Sequence, residues 1–202
     1  NYGLYFHELE SEESETIFED EKVMVTTIPL KHRVYTNGFL FQEKVGERKL
    51  NMDAVLNYEI ENCYYQKIKN GKDITLEDGR IIPNSELTFD PIPPKSYAFC
   101  SDTVYHEAIL PIINNVDVLY HESTFLESEE GLAEKTLHST AKEAARIALK
   151  ANVPIIPVAF NFAKKEVNLG QPLIPKGNLE QDMRVLKQHF VGVVGKIPHY
   201  SY

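Results

Sequence analysis

The chain has 202 residues, a size that suits one sizeable core or one domain with an appendage. Hydrophobic residues make up 43% and charged residues 25%, and no apolar run reaches the roughly 20 residues of a membrane helix. The net charge of −9 disfavours nonspecific nucleic-acid binding, but the acid is concentrated before residue 23, so a polyanion can still bind elsewhere. Cys63 and Cys100 form neither a metal-type spacing nor a disulfide framework, which predicts a reducing cytoplasm.

The beginning of the chain predicts a further segment upstream. The first residue is Asn1 rather than Met, and residues 2–6 (Tyr-Gly-Leu-Tyr-Phe) are typical of the middle of a fold. We therefore expect that the N-terminus has been cut from something longer.

Two predicted strands open the core. Residues 23–30 are apolar and β-branched, as is typical of a strand, and residues 38–42 predict a second strand after a turn. Residues 43–94 differ, because they are polar and rich in turn residues. We expect them to leave the core as a protruding arm and not to form a packed layer.

Strands and helices alternate in the second half. A short buried strand at 97–100 is followed by a predicted helix over about 104–113, and a further strand at 116–120 comes next. Thr140 and Glu143 form a capping box, which predicts a helix from there to about residue 151. This order indicates an α/β sheet, in which ligand groups collect beyond the carboxyl ends of the strands.

Titratable side chains follow three of these strands, at His32, Asp102 and Glu122. A carboxylate at the position of Asp102 has to pair, accept hydrogen bonds or bind metal, since an isolated buried charge is costly. The alternative is a turn aspartate that caps the following helix. Neutral imidazole is a common zinc ligand, so His32 is a candidate, although a lone histidine is more often structural.

His138 precedes the helix that begins near residue 140. Helix N-termini favour anions such as phosphate, and a carboxylate such as Glu122 beside an imidazole favours its protonated form. The pair is therefore a candidate proton donor to a leaving oxygen. The alternative is that His138 only flanks the helix cap.

Three segments resemble ribonuclease Z, the transfer-RNA 3′-processing endonuclease family. They are residues 99–103 (Phe-Cys-Ser-Asp-Thr), 117–125 (Asp-Val-Leu-Tyr-His-Glu-Ser-Thr-Phe) and 138–145 (His-Ser-Thr-Ala-Lys-Glu-Ala-Ala). The order and the spacing of the three segments agree with that family, as do the residues themselves. The resemblance implies an α/β fold, here a partial metallo-β-lactamase αββα sandwich with a protruding arm. It also implies two zinc ions in the complete site, a homodimer and precursor transfer RNA as substrate.

The resemblance also implies a role for each candidate residue. His32 is then a zinc ligand, and Asp102 is the carboxylate that bridges both zinc ions. His138 is the proton donor to the leaving 3′ oxygen, with Glu122 in support. A hydroxide activated by the two metals attacks the phosphodiester in line.

In this family a flexible arm binds transfer RNA away from the active site. The resemblance implies that residues 43–94 include this arm. The implied phosphate contacts, which position the RNA and do not read its sequence, are Lys67, Lys69, Lys72 and Arg80. The Gly-Pro-rich stretch that usually precedes them is replaced here by residues 57–62.

Two departures from the family pattern concern metal ligands. The motif His-x-His-x-Asp-His has no counterpart in the chain, and the last histidine ligand is absent, with residues 154–162 in its place. On this ligand count we predict that the chain alone binds zinc weakly and is nearly inactive.

The tail resembles a different family. Residues 151–159 and 170–175 are similar to the C-terminal end of a lysophospholipid acyltransferase, although that family's His-x-x-x-x-Asp motif does not occur. We predict a ribonuclease Z-like domain over residues 1–153 and a tail over 154–202, with a strand, turns and a helix near 179–190.

Three functional hypotheses follow. The first is a zinc-dependent endoribonuclease that removes the 3′ trailer of precursor transfer RNA. The second is a noncatalytic RNA-binding or dimerisation fragment that works through the arm. The third is a remnant of a lysophospholipid acyltransferase.

Overall fold

The computed structural model describes residues 3–192. The described residues form two compact units: one comprises residues 3–19, 25–42 and 96–192, and the other residues 20–24 and 43–95. Strands and helices both contribute, so the predicted α/β class is confirmed. In residues 3–192 no helix is long and apolar enough to cross a membrane.

The described residues form eleven strands and seven α-helices. The strands are β1 (Thr16–Glu19), β2 (Val23–Pro29), β3 (Asn37–Glu43), β4 (Lys49–Leu50), β5 (Ile74–Thr75), β6 (Ile81–Ile82), β7 (Thr88–Phe89), β8 (Ser96–Cys100), β9 (Val118–His121), β10 (Val158–Asn161) and β11 (Glu166–Leu169). The helices are α1 (Met52–Asn57), α2 (Tyr65–Lys69), α3 (Asn84–Leu87), α4 (Leu110–Ile113), α5 (Glu130–Thr136), α6 (Ala141–Lys150) and α7 (Leu179–His189).

The first unit is built on a five-stranded sheet in the order β1-β2-β3-β8-β9. β8 runs antiparallel to β3 and parallel to β9, with Cys100 opposite His121 at the shared carboxyl end. The predicted strands at 23–30, 38–42, 97–100 and 116–120 all lie in this sheet. Because β8 and β9 are parallel, the segments that follow them emerge at the same edge.

The core of this unit lies between the sheet and α6. It includes Ile28 from β2, Leu40 from β3, Ile113 from α4 and Ile147 from α6, each buried. Gly38 is required where β3 meets β8, since a Cβ atom there would lie 2.4 Å from the carbonyl oxygen of Phe99. The strands can therefore approach closely enough to continue their pairing.

The capping box predicted for α6 is confirmed. Thr140 Oγ1 accepts from the Glu143 N–H at 3.3 Å, and the Glu143 carboxylate accepts from the Thr140 N–H at 2.9 Å. Both contacts satisfy N–H groups that have no partner inside the helix, so the helix start is fixed by these two side chains.

The helix predicted over 104–113 is shorter than expected. Only a 3₁₀ turn (Glu107–Ile109) and the four residues of α4 are helical. The Val104 N–H donates to the Lys31 carbonyl at 2.9 Å, and the Thr103 N–H donates to Glu122 at 2.6 Å. These long-range contacts hold the first residues in an extended conformation against their helical periodicity.

In the tail, β10 and β11 form an antiparallel hairpin. α7 is capped by Asn178, whose side chain accepts from the Gln181 N–H at 3.1 Å. The helix expected near 179–190 is therefore confirmed, and the tail has one strand more than expected. The boundary at residue 153 stays a prediction.

The second unit has its own hydrophobic core, which corrects the expectation that residues 43–94 do not form a packed layer. The short elements from β4 to β7 surround six buried side chains: Val55, Ile60, Ile68, Ile74, Ile82 and Leu87. These apolar residues are separated by turns and polar residues, so neither a helical nor a strand period signals them in the sequence.

Candidate metal and catalytic site

The candidate site lies where β8 and β9 end side by side. The Glu122 N–H donates to the Cys100 carbonyl at 2.9 Å, which extends the pairing by one step past β9. Asp102 follows β8 by two residues, and the segment after α5 brings His138 to the same place. One ligand atom from each of Asp102, Glu122 and His138 lies within 4.8 Å of the others.

Glu122 is the buried centre of this group, with only 6% of its surface exposed. Its Oε1 accepts from the Thr103 N–H at 2.6 Å and pairs with His138 Nδ1 at 2.9 Å, while its Oε2 accepts from Thr124 Oγ1 at 2.5 Å. Burial by itself raises the pKa of this carboxyl, but the three hydrogen bonds together outweigh it and leave the pKa below its ordinary value. Glu122 is therefore held as a carboxylate.

The contact with Glu122 orients the half-buried ring of His138. An ionised carboxylate can only accept, so Nδ1 carries the hydrogen and donates it. Nε2 is then the nitrogen that is free to carry or release a proton. The neighbouring backbone is fixed on both sides: Leu137 ends α5 in the left-handed region (φ 58°), and the buried Ser139 hydroxyl donates to the Thr103 carbonyl at 2.6 Å.

Asp102 differs from Glu122 in being exposed and in having no hydrogen-bond partner among residues 3–192. Its backbone is left-handed (φ 54°), a conformation that aspartate tolerates better than most residues. The alternative role, capping the following helix, is not observed, because neither the 3₁₀ turn nor α4 has a side-chain cap. The Asp102 carboxylate is thus the acidic group free to accept a cation.

His32 lies beside this group, with its ring centroid 4.9 Å from that of His138 at an interplanar angle of 57°. Its Nδ1 faces the Leu137 carbonyl at 2.8 Å and must donate, so the neutral ring presents the lone pair of Nε2. His32 is not part of the compact cluster formed by Asp102, Glu122 and His138. The structure thus brings all four predicted residues to one edge of the sheet but only three into that cluster.

The available donors suit zinc, which binds carboxylate oxygen and imidazole nitrogen. The Asp102 carboxylate and His32 Nε2 have no other partner in the described part of the chain. The two oxygens of Glu122, in contrast, already accept three hydrogen bonds. The chemistry of the donors therefore fits Asp102 and His32 as ligands and Glu122 as the group that orients His138.

Four supporting residues had no role in the sequence analysis. Thr103 and Thr124 donate to Glu122, Ser139 fixes the Thr103 backbone, and the Leu137 carbonyl selects the tautomer of His32. Three of them lie inside the segments that define the resemblance, but nothing in their local sequence indicates their partners. Leu137 acts through its backbone, and no side-chain pattern signals that role.

The predicted RNA-contacting residues lie in the second unit. Lys67 and Lys72 are exposed and have no ion-pair partner in residues 3–192. Lys69 Nζ lies 3.6 Å from a Glu47 carboxylate oxygen, and Arg80 Nε donates to Asp78 at 2.7 Å. Two of the four cations are thus free, and two are paired at the surface.

Ligand sites of α/β sheets lie beyond the carboxyl ends of the strands, and carboxylate and imidazole groups gathered there can hold a metal ion. Comparison with known proteins shows which family the chain resembles. The chain is 41% identical over 165 residues to ribonuclease Z of Bacteroides thetaiotaomicron, a match that covers 82% of this chain and 52% of the relative. It is 47% identical over 150 residues to ribonuclease Z of Porphyromonas gingivalis, covering 74% of this chain and 49% of the relative. The resemblance inferred from the motifs is therefore confirmed.

The chain spans about half the length of the curated relatives it matches. No protein-family model matches it. Among solved structures, that of human tRNase Z, short form, is 18% identical with a TM-score of 0.39, over 70% of this chain and 38% of that one.

Proposed function

We propose that this chain forms part of a zinc-dependent endoribonuclease of the metallo-β-lactamase superfamily that removes the 3′ trailer from precursor transfer RNA. The observation that carries the proposal is the His138–Glu122 pair beside the unpartnered carboxylate of Asp102. The identity of 41–47% to two proteins named ribonuclease Z supports the substrate class.

In this proposal His138 protonates the leaving 3′ oxygen. Cleavage of a phosphodiester leaves an alkoxide that needs a proton, and His138 Nε2 is the ring nitrogen available to give it. Glu122 accepts from Nδ1 and so leaves Nε2 as the nitrogen that carries the transferred proton. Because Glu122 is itself held by Thr103 and Thr124, the acceptor of Nδ1 stays in place, and the imidazole can rotate only by breaking its hydrogen bond to Glu122.

Asp102 and His32 are the residues of this chain that, in the proposal, would hold zinc. Bound zinc supplies a Lewis acid and a nucleophile at neutral pH. Within the chain, the Leu137 carbonyl fixes His32 in the tautomer that can bind a metal.

Cleavage of a precursor transfer RNA with a 3′ trailer tests the proton donor. The assay is run on residues 1–202 and, where the gene encodes a longer product, on that product. We expect the chain alone to be nearly inactive, and we expect His138→Ala to lower whatever rate is measured by about 10²–10⁴-fold, as for loss of a general acid. The exposed His7 offers a matched control, His7→Ala, which should leave the rate unchanged. In a protein that cleaves at a measurable rate, equal rates for the two variants would refute the role of His138.

Zinc titration by calorimetry tests the ligands independently of cleavage. Asp102→Asn and His32→Ala should each weaken binding, whereas His7→Ala should not. Tight stoichiometric binding by Asp102→Asn would exclude Asp102 as a ligand.

The proposal includes the arm contacts, with Lys67, Lys69, Lys72 and Arg80 binding phosphates. Lys67→Gln/Lys72→Gln should weaken transfer-RNA binding and reduce its salt dependence, while the exposed pair Lys49→Gln/Lys135→Gln should have little effect. Filter binding at two salt concentrations distinguishes them.

A homodimer and a reducing cytoplasm complete the proposal. Cys63 and Cys100 are both free, the first exposed and the second buried, in keeping with a reducing compartment. Sedimentation equilibrium should give twice the chain mass, and a monomer at micromolar concentration would remove the dimer from the proposal.

The unpaired Lys67 and Lys72 favour one second candidate, a noncatalytic RNA-binding or dimerisation fragment. In that case RNA binding persists in His138→Ala and no variant cleaves. The acyltransferase remnant stays a prediction of the sequence, which acyl transfer to a lysophospholipid tests.

A further inference from the structure

A basic groove lies between α6 and α7 and is separate from the residues assigned so far. Its volume is about 610 Å³, and its walls carry four cationic side chains: Lys142 and Arg146 from α6, and Arg184 and Lys187 from α7. All four project into one space because α6 and α7 pack together. The chain as a whole carries a net charge of −9, so this concentration of positive charge is local.

Two carboxylates partly balance these charges. Glu127, which does not line the groove, contacts Lys142 and also Lys187, the latter at 3.3 Å. Glu180 is the acidic residue among those that line it. Arg146 and Arg184 have no carboxylate partner among residues 3–192. The two lysines of the groove are therefore paired with a carboxylate, and the guanidinium groups of Arg146 and Arg184 are available to bind an anion.

The groove begins next to the candidate site. α6 starts three residues after His138, and Lys142 is in its first turn. Glu127, which holds Lys142 and Lys187, is two residues from Phe125, whose ring centroid is 6.1 Å from that of His138. An extended polyanion bound at His138 can therefore continue along α6 into the groove.

We propose that the groove binds the phosphodiester backbone of the RNA strand that passes His138, with Arg146 and Arg184 as its main phosphate contacts. The inference rests on the proposed function for the identity of the strand. A guanidinium group presents paired N–H donors that match two phosphate oxygens, so these two residues suit a phosphate better than a single point charge does. Long flexible cations without a fixed base-reading group bind the backbone independently of sequence.

The test measures binding of a short single-stranded oligoribonucleotide, by fluorescence anisotropy without added metal, over a range of salt concentrations. Arg146→Gln/Arg184→Gln should weaken binding about tenfold at low salt, since two charge-assisted contacts are lost. The slope of log affinity against log salt should become shallower by about 0.7 for each phosphate contact removed. The matched control is Lys164→Gln/Lys165→Gln, which removes two exposed lysines from the turn between β10 and β11.

Arg146→Lys/Arg184→Lys guards against loss of the fold, because it keeps both charges. This variant should retain most of the salt dependence while binding more weakly than the wild type. The inference is overturned if Lys164→Gln/Lys165→Gln loses as much affinity as Arg146→Gln/Arg184→Gln. It is also overturned if the salt slope of Arg146→Gln/Arg184→Gln equals that of the wild type. Competition by polyglutamate as strong as by RNA also overturns it, in favour of an acidic protein partner.

The outcome is separable from the proposed function. Equal measurable cleavage rates for His138→Ala and His7→Ala, together with loss of RNA binding in Arg146→Gln/Arg184→Gln, remove the proposed role of His138 but keep the groove as an RNA site. If cleavage depends on His138 but Arg146→Gln/Arg184→Gln binds RNA as the wild type does, the groove is not an RNA site and the proposed reaction stands.

Discussion

Each of the two units contains a buried side chain with an amide or carboxyl group on which several hydrogen bonds converge, and the two side chains differ in charge. Glu122 in the first unit is ionised and holds His138, Thr124 and the Thr103 backbone. Asn84 in the second unit is neutral; its Nδ2 donates to the Ile68 and Lys72 carbonyls at 2.7 and 3.0 Å. The contacts of the Asn84 side chain end on backbone and the Thr88 hydroxyl, whereas those of the Glu122 side chain include a titratable ring.

The difference separates a hydrogen-bond network that only stabilises the fold from one that can also support catalysis. Both networks satisfy buried polar groups and so stabilise the fold. Only the one around Glu122 holds a carboxylate against an imidazole whose other nitrogen is free, which is the arrangement that general acid catalysis needs. The following predictions test this distinction between the two units.

The largest expected change in the free energy of unfolding concerns the core of the second unit, which the sequence did not indicate. Ile68→Ala should lower the free energy of unfolding by about 2–5 kcal/mol, because Ile68 is fully buried. Ile81→Ala is the control, since Ile81 is 65% exposed, and its effect should stay within about 0.5 kcal/mol. Urea unfolding measures both, and similar small effects would mean that residues 43–95 do not form a packed core.

Glu122→Gln should lower the free energy of unfolding by about 1.5–3 kcal/mol near pH 7, because hydrogen bonds to a charged group are lost. The pKa of Glu122 is lowered in the folded protein, so its carboxylate stabilises the fold above the ordinary value of 4.5 and loses this contribution as the pH falls through the folded pKa. The difference between variant and wild type should therefore shrink in acid. Urea titrations at several pH values measure it, and a difference that does not vary with pH would contradict this account.

Asn84→Ala should lower the free energy of unfolding by about 1–3 kcal/mol, because the Ile68 and Lys72 carbonyls lose their donor. Asn84 does not titrate, so this loss should stay the same as the pH falls from 7 to values below 4.5, unlike that of Glu122→Gln. Asn57→Ala, at an exposed position, is the control. A pH-dependent loss at Asn84 would remove the contrast between the two networks.

The smallest expected effect on stability comes from alkylation of the native protein, in which the two cysteines, one in each unit, should differ in reactivity. Cys63 is exposed and should react with iodoacetamide in the native protein, with little effect on stability. Burial raises the pKa of the Cys100 thiol to about 12, so Cys100 should react only when the protein unfolds. Mass spectrometry of the alkylated protein counts the sites, and modification of Cys100 at the rate of Cys63 would contradict its burial.

Much of the first unit could be predicted from the sequence. The strands of the sheet follow runs of apolar and β-branched residues, and α6 follows its capping box. The placement of His32, Asp102 and Glu122 after strand ends was enough to predict that they meet at one edge. The helix over 104–113 was predicted too long, because its first residues pair with Lys31 and Glu122 instead.

The second unit could not be predicted in the same way. Its six buried residues come from short elements between turns, and the periodic patterns that indicate a core need longer elements to appear. Asn84 is the clearest case, since it reads as a turn residue but is buried by contacts with residues 12 and 16 positions away.

By itself, the sequence determined the α/β class, the start of α6, the resemblance to ribonuclease Z and the residue types of the candidate site. These depend on neighbours in the chain or on short motifs. Only the tertiary structure decided that Glu122 is saturated by Thr103, Thr124 and His138, that Asp102 is left free, and that His32 presents Nε2. The physical reason is that these partners lie up to 105 residues apart, and the parallel register of β8 and β9 and the turn at Leu137 bring them together.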